Sequence, residues 1–356
     1  ALVVFGRGLF WPFVPKFGGV NKSDSGLWAK LGKGVSKRPI AVSLLGVLIL
    51  GGLASGVSGI QVGLASTDRF LKTPEAVVGQ QVLAEAFPAG STSPTIVVAK
   101  AAQAEEVKAL VENVDGVASV SIGESDGTIT QLNVILDAEG QSEKAYAAIK
   151  LMRDEVDKAT GADAKVGGLD AQALDVKDAY AHDQLVVIPL ILILVFVVLV
   201  ILLRSFVAPV LLLLTVVASF FASMGAGWLI FTSVLGFPAL DLSVFLFSFL
   251  FLVALGVDYN IFLVTRAKEE AEKVGTRQGM IKALSATGGV ITSAGILLAA
   301  VFAVLGVLPL VALAQIGVIV CIGVLLDTLL VRTVIVPALA FMTGKKFWWP
   351  LKKIDD

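Results

Sequence analysis

A chain of 356 residues that is 56% apolar and only 16% charged cannot have water as its sole solvent, since soluble domains carry about a quarter charged residues. Its formal net charge of −1 excludes nucleic acid as a partner, because that needs a clustered positive excess. One cysteine, Cys321, and one histidine, His182, leave no disulfide and no Cys- or His-built metal centre within a chain, so no cofactor is expected.

Taken in order, residues 1–38 carry Arg7, Lys16, Lys22, Lys30, Lys33, Lys37 and Arg38 against Asp24 alone, with no charged-then-apolar leader. The lipid bilayer is the chain's main partner, and about 20 apolar residues are needed to cross it. Uncharged runs of that length predict six transmembrane helices. The first covers residues 39–63, and the other five fall at 184–203, 206–235, 242–265, 284–307 and 310–344. Only the fourth and sixth contain charges. Lys and Arg gather in cytoplasmic loops, which places residues 1–38, Arg204, the cluster from Arg266 to Lys282, and the basic tail 345–356 on one side. The loops near Gly236 and Leu308 lack Lys and Arg and fall on the other. Residues 266–285 read as a cytoplasmic connecting helix along the membrane surface, and Trp11, Trp28, Trp348 and Trp349 as interfacial indoles.

The polar insert at residues 64–183 must fold outside the membrane, because from Asp68 to Asp183 it holds twenty acidic residues against ten basic. Valine-rich runs bounded by Gly and Asp predict strands at 95–99, 117–122, 128–136 and 164–166. Apolar residues spaced three to four apart predict helices at 102–114 and 142–158. The predicted order is βαββαβ, a split βαβ sandwich, flanked by helices at 74–87 and from Ala171. The predicted fold is thus a polytopic α-helical membrane protein with an inserted α+β domain. At an offset of 338 residues, Gly6, Arg7, Leu9, Phe10, Trp11 and Pro12 echo Gly344, Lys345, Phe347, Trp348, Trp349 and Pro350. The echo reads as a duplication in which residues 1–38 are the linker and tail of a preceding half.

Asp258, Asp327 and Arg332 lie inside predicted spans, where an ionisable side chain costs at least ~2.5 kcal/mol near the helix centre. Such residues serve ion pathways or pair with a neighbouring helix. Asp258 is followed by the phenol of Tyr259 and the amide of Asn260, groups that pass or orient a proton, and preceded by Gly256, which admits a close backbone. Asp327 and Arg332 are five apart, about 140° around an α-helix, so they do not share a face. Arg332 then reaches toward the headgroups, and Asp327 reads equally as relay member or anchor. Thr292 and Ser293 in the fifth span are placed to hydrogen-bond to Asp258 or to serve packing. His182, between Asp178 and Asp183, reads as a solvated linker residue in preference to a pH sensor.

Several runs together resemble the MMPL family of the resistance-nodulation-division (RND) superfamily. They are Gly256-Val257-Asp258-Tyr259 with Phe262-Leu263 and Arg266, Thr287-Gly288-Gly289-Val290-Ile291-Thr292-Ser293-Ala294, and Leu326-Asp327-Thr328 with Val331-Arg332 and Val336-Pro337-Ala338-Leu339. The order of span, insert and five spans is also similar. The resemblance implies the C-terminal half of a two-half bacterial inner-membrane exporter, driven by protons as the coupling ion. It also implies a porter domain outside that guides a lipid, glycolipid or other amphiphilic substrate. Asp258 and Tyr259 receive the proton relay role, and the opposing pair belongs to a second six-helix half, fused or separate. The expected activity is transport and not enzymatic. Two alternatives are a scaffold or sensor that keeps the fold without transport, and an intramembrane aspartyl protease. The second is disfavoured because Tyr follows Asp here and the required glycine spacing is absent.

Overall fold

A computed structural model describes residues 26–86, 94–351 and 354. The expected tail of a preceding half, and with it Trp11 and half of the terminal echo, lies outside the described residues. Helix α1 (Leu27–Lys37) was not predicted; it ends at Arg38, and Pro39 opens α2 (Pro39–Ala54) at a first-turn position where its missing N–H costs nothing. α1 packs on a later helix through Gly32 against Leu284 and Ile281, and Trp28 lies over Gly288.

After α2 come α3 (Glu75–Ala86), β1 (Thr95–Lys100), α4 (Ala104–Glu112), β2 (Val117–Ser125), β3 (Ile129–Leu136), α5 (Glu143–Val156) and β4 (Lys165–Gly167). The strands form one antiparallel sheet in the order β2-β3-β1-β4, with Val97 opposite Leu132 and Val166. Side chains alternate across a strand, so Val97 and Ala99 of β1 and Leu132, Val134 and Leu136 of β3 point to one face. There they pack with Val107, Val111, Ala145, Ile149 and Met152 of α4 and α5. Ser142 caps α5, its hydroxyl accepting from Ala145 N–H at 3.2 Å.

The rest is helical: α6 (Leu169–Leu203), α7 (Val207–Ile230) with a π-helical end Phe231–Leu235, α8 (Val244–Leu305), α9 (Val311–Leu326), a π-helical stretch Asp327–Ile335, and α10 (Val336–Thr343). Among the described residues, five helices are long and apolar enough to cross a membrane: Pro39–Gly59, Leu169–Leu203, Val207–Leu235, Val244–Leu305 and Val311–Trp348. A straight helix of 62 residues would be about 93 Å long, three bilayer cores. α8 is not straight. Val274 and Gly275 leave helical geometry, Gly275 with φ +78°, and a Cβ on Gly279 would sit 2.6 Å from the Ala271 nitrogen, so the chain turns back on itself here. This corrects the expectation of a separate surface helix at 266–285. Those residues are the ends of two helical arms, 244–273 and 276–305, and Arg266 is paired within the first of them to Glu269 and Glu270.

The spans pack through one core, in which Phe220 meets Phe245 and Phe249 edge to face, separate from the core of the insert. Trp348, expected at the interface, is fully buried, its indole N–H donating to Thr276 at 3.2 Å; Trp349 is exposed and lies against Phe206. The insert is joined to the spans through residues 61–71. Gly63 N–H donates to Leu240 O at 2.9 Å, Leu240 N–H to Gln61 O at 2.8 Å, Leu71 N–H to Pro309 O at 2.9 Å and Val311 N–H to Arg69 O at 2.9 Å.

Candidate functional site: polar residues among the spans

The polar residues of the spans gather where the first arm of α8 meets the π-helical stretch. Gly256 of α8 makes the contact possible, because a Cβ there would lie 2.6 Å from Asp327 Oδ2. Asp327 is 4% exposed, and its other oxygen, Oδ1, has no hydrogen-bond partner among the described residues. Ser219 of α7 lies beside it, with its hydroxyl donating to Val216 O at 3.0 Å. A Cβ on Gly295 would in turn sit 2.4 Å from Thr328 Oγ1, so the second arm approaches the same stretch equally closely.

The π-helical stretch overturns the expected angle between Asp327 and Arg332. Its backbone bonds close on the fifth residue, as in Val336 N–H to Val331 O, so side chains five apart come round to nearly the same side. Arg332 therefore does not reach the headgroups. It is 2% exposed, donates to Thr287 Oγ1 at 3.4 Å, and leaves its Nε unpartnered. Asp327 and Arg332 are both buried, yet no ion pair joins them. Two ionisable groups with unsatisfied atoms in an apolar core are costly and mark an incomplete polar network.

Asp258 sits elsewhere. Two residues beyond Gly256 is about 200° around the helix, so if Gly256 faces Asp327, Asp258 faces away. It is exposed, on the same stripe of α8 as the exposed rings of Phe251 and Phe262. Tyr259, about 60° from Gly256, is half-buried and within electrostatic reach of Arg332. Tyr259 is thus within electrostatic reach of both the outward Asp258 and the inward Arg332. Thr292 and Ser293 are not brought to Asp258 by any hydrogen bond; the Ser293 hydroxyl donates instead to Val290 O at 2.8 Å. His182 is exposed and lies within the continuous helix α6, not in a linker.

Gln315 escaped sequence reasoning because an uncharged amide in an apolar run breaks no pattern. It is fully buried, with Nε2 donating to Ala239 O at 2.8 Å and Oε1 accepting from Asp241 N–H at 3.0 Å, and so ties α9 to the loop before α8. Asn260, one residue beyond Tyr259, is also buried with its amide nitrogen unpartnered.

The MMPL family pattern matches residues 72–355, which takes in the insert, the polar cluster and the turn between the arms of α8. The chain belongs to the MMPL family. Among relatives, the putative membrane protein ActII-3 of Streptomyces coelicolor is 45% identical over 350 residues, covering 98% of this chain and 49% of that protein. The apo-petrobactin exporter of Bacillus anthracis is 35% identical over 377 residues, 99% of this chain and 51% of that protein. The sulfolipid-1 exporter MmpL8 of Mycobacterium tuberculosis is 40% identical over 195 residues, 53% of this chain and 17% of that protein. The chain spans about half the length of the curated relatives that it matches from end to end. With its long apolar helices, this MMPL chain is a multi-pass membrane protein carrying an inserted sheet domain.

Proposed function

We propose that this MMPL chain is one six-span half of a proton-driven exporter of an amphiphile, with the insert as a βαββαβ porter domain outside a bacterial plasma membrane. The six spans are the five long helices with α8 counted twice, since each of its arms is about 30 residues and reaches across the hydrocarbon core. The names of two relatives, an apo-petrobactin exporter and a sulfolipid-1 exporter, support outward transport. A second six-helix half would bring the opposing relay pair.

The observation that carries this reading is the placement of Asp258. A carboxylate alone on an uncovered apolar stripe, between Phe251 and Phe262, would stand in hydrocarbon at a cost of ~2.5–3.5 kcal/mol. A second half covering that stripe with its own polar groups removes the cost and creates a protonatable pair within the membrane. Proton entry at Asp258 changes its charge, and therefore which hydrogen bonds it makes to Tyr259 or to a partner phenol; the helices shift in response. Asp258→Asn keeps the shape but cannot titrate. It should leave expression unchanged and reduce pH-gradient-driven transport by the assembled protein in vesicles to background, while Tyr259→Phe should lower it less. Full transport by Asp258→Asn, with loss confined to Asp327→Asn, would move the relay to Asp327.

A further inference from the structure

The basic ends of the spans differ in how their cations are satisfied. Arg266 is paired with Glu269 and Glu270, and Arg277 donates to Ser36 O. Arg204, which follows the last turn of α6, and Lys268, in the first arm of α8, lie within electrostatic reach of each other, and among the described residues no carboxylate comes within ion-pair distance of either. Glu272, one turn beyond Lys268, acts on it electrostatically but stays outside that distance. Packing brings the two cations together, because Leu199 and Leu203 of α6 share a core with Leu263, Val264 and Ala267 of α8. The dipole of α6 favours a cation at its C-terminal end, which accounts for Arg204 but not for a second cation beside it. Like charges held side by side repel, and an anion between them turns that cost into attraction.

The loop that carries Arg204 is fixed by the chain's last described segment. Arg204 N–H donates to Val200 O at 2.8 Å, the buried Ser205 hydroxyl to Phe347 O at 2.9 Å, and Phe206 N–H to Trp349 O at 2.9 Å. Phe206 and Trp349 are both exposed, with ring centres 5.8 Å apart. The turns of α6 that lead to Arg204 are apolar throughout and expose Val197, Val198, Ile201 and Leu202. Apolar surface, then aromatic rings and cations, is the order of environments met on leaving the hydrocarbon for water, so Arg204 and Lys268 stand at the depth of lipid headgroups.

We propose that Arg204 and Lys268 together bind the phosphate of an anionic phospholipid in the leaflet on the basic side, with Phe206 and Trp349 flanking the headgroup. Guanidinium and ammonium groups converging on one point suit a phosphate, and such basic sites between spans hold anionic headgroups. This lipid is a brace and not cargo. It joins the end of α6, the helix that continues into the insert, to the arm of α8 that carries Asp258. The proposal goes beyond the export reading and does not rest on it, because the site lies at the opposite end of α6 from the insert and its test needs no transport.

The full chain in dodecyl maltoside is titrated with dioleoylphosphatidylglycerol and with dioleoylphosphatidylcholine, which has the same chains but a choline that cancels the phosphate charge; bound lipid is counted by native mass spectrometry. Phosphatidylglycerol should bind at least about tenfold more tightly, at about fivefold per cation. Arg204→Gln and Lys268→Gln should each remove about fivefold, the double variant should bind the two lipids alike, and Arg204→Lys should retain most of the preference. Lys273→Gln removes an exposed charge about 140° round the same arm and should change nothing. Glycerol 3-phosphate at equal concentration should not compete. Equal binding of the two lipids by the parent, an unchanged preference in both single glutamine variants, or an equal loss in Lys273→Gln, which marks diffuse attraction to the basic side, would overturn the site. Competition by glycerol 3-phosphate would make the ligand a free anion and overturn the lipid.

Discussion

Asp170 opens α6 with its side chain buried and one carboxylate oxygen accepting from Gln141 N–H at 3.0 Å. Burial holds this carboxyl above the usual carboxylate range, and the Gln141 bond opposes that shift only in part. A native pKa above the unfolded one means that the folded state binds the proton more tightly. The stabilising contribution is complete below the unfolded value of about 4 and is lost as pH rises through the higher native value. Asp170→Asn should therefore melt higher than the parent at pH 7, and the two should converge near pH 4, in thermal melts of the excised insert. Sequence patterning gave no sign of this residue, since an acidic side chain at the start of a helix reads as solvated. Asp258, by contrast, was legible as a candidate, because charge inside an apolar run is conspicuous in any context. Which way it points was not legible, since that depends on where Gly256 packs.

At the scale of elements, the closest helix contact joins the end of α2 to α7. A Cβ on Gly225 would lie 2.1 Å from Leu53 O, and one on Gly56 would lie 2.5 Å from Gly225 O. Backbone cannot yield as a flexible side chain can, so Gly225→Ala must push the helices apart. A loss of about 1–3 kcal/mol is expected, read as a lower melting temperature in detergent. Gly51→Ala in α2 is the comparison: nothing lies within 4 Å of its Cβ, and the change should be neutral or slightly stabilising through helix propensity. The insert's elements fall within a few residues of the predicted ranges because its strands alternate faces and Ser142 announces a helix start. The π-helical stretch defeated prediction. Its residues are ordinary helix formers, and the extra residue per turn depends on neighbours packed against it.

For the whole molecule, sidedness is the next quantity to measure. Gly275 looks like the natural loop position for a reporter cysteine on the basic side, but its φ of +78° would strain any other residue, and Ser142 is occupied as a cap. Lys144 and Lys273 are exposed and free of both constraints. After Cys321 is replaced, cysteines at Lys144 and Lys273 should label from opposite sides of sealed cells; labelling from the same side would reject the orientation. The excised insert, residues 64–183, should be soluble and give a mixed α/β circular dichroism spectrum, because its core is separate from that of the spans. An all-helical spectrum would show that the sheet needs the membrane part. By itself the sequence determined that the chain lies in a bilayer, that a polar α+β insert separates the first apolar run from the others, and which ionisable residues stand among apolar ones. Those properties follow from the solvent each residue prefers, which is local and survives without a fold. The tertiary structure decided that Asp327 and Arg332 face one interior while Asp258 faces out, and that residues 266–285 form a turned-back pair of helix ends. Each depends on contacts between residues far apart in the chain, set by glycines and a π-helical stretch whose effect appears only when another helix is packed against them.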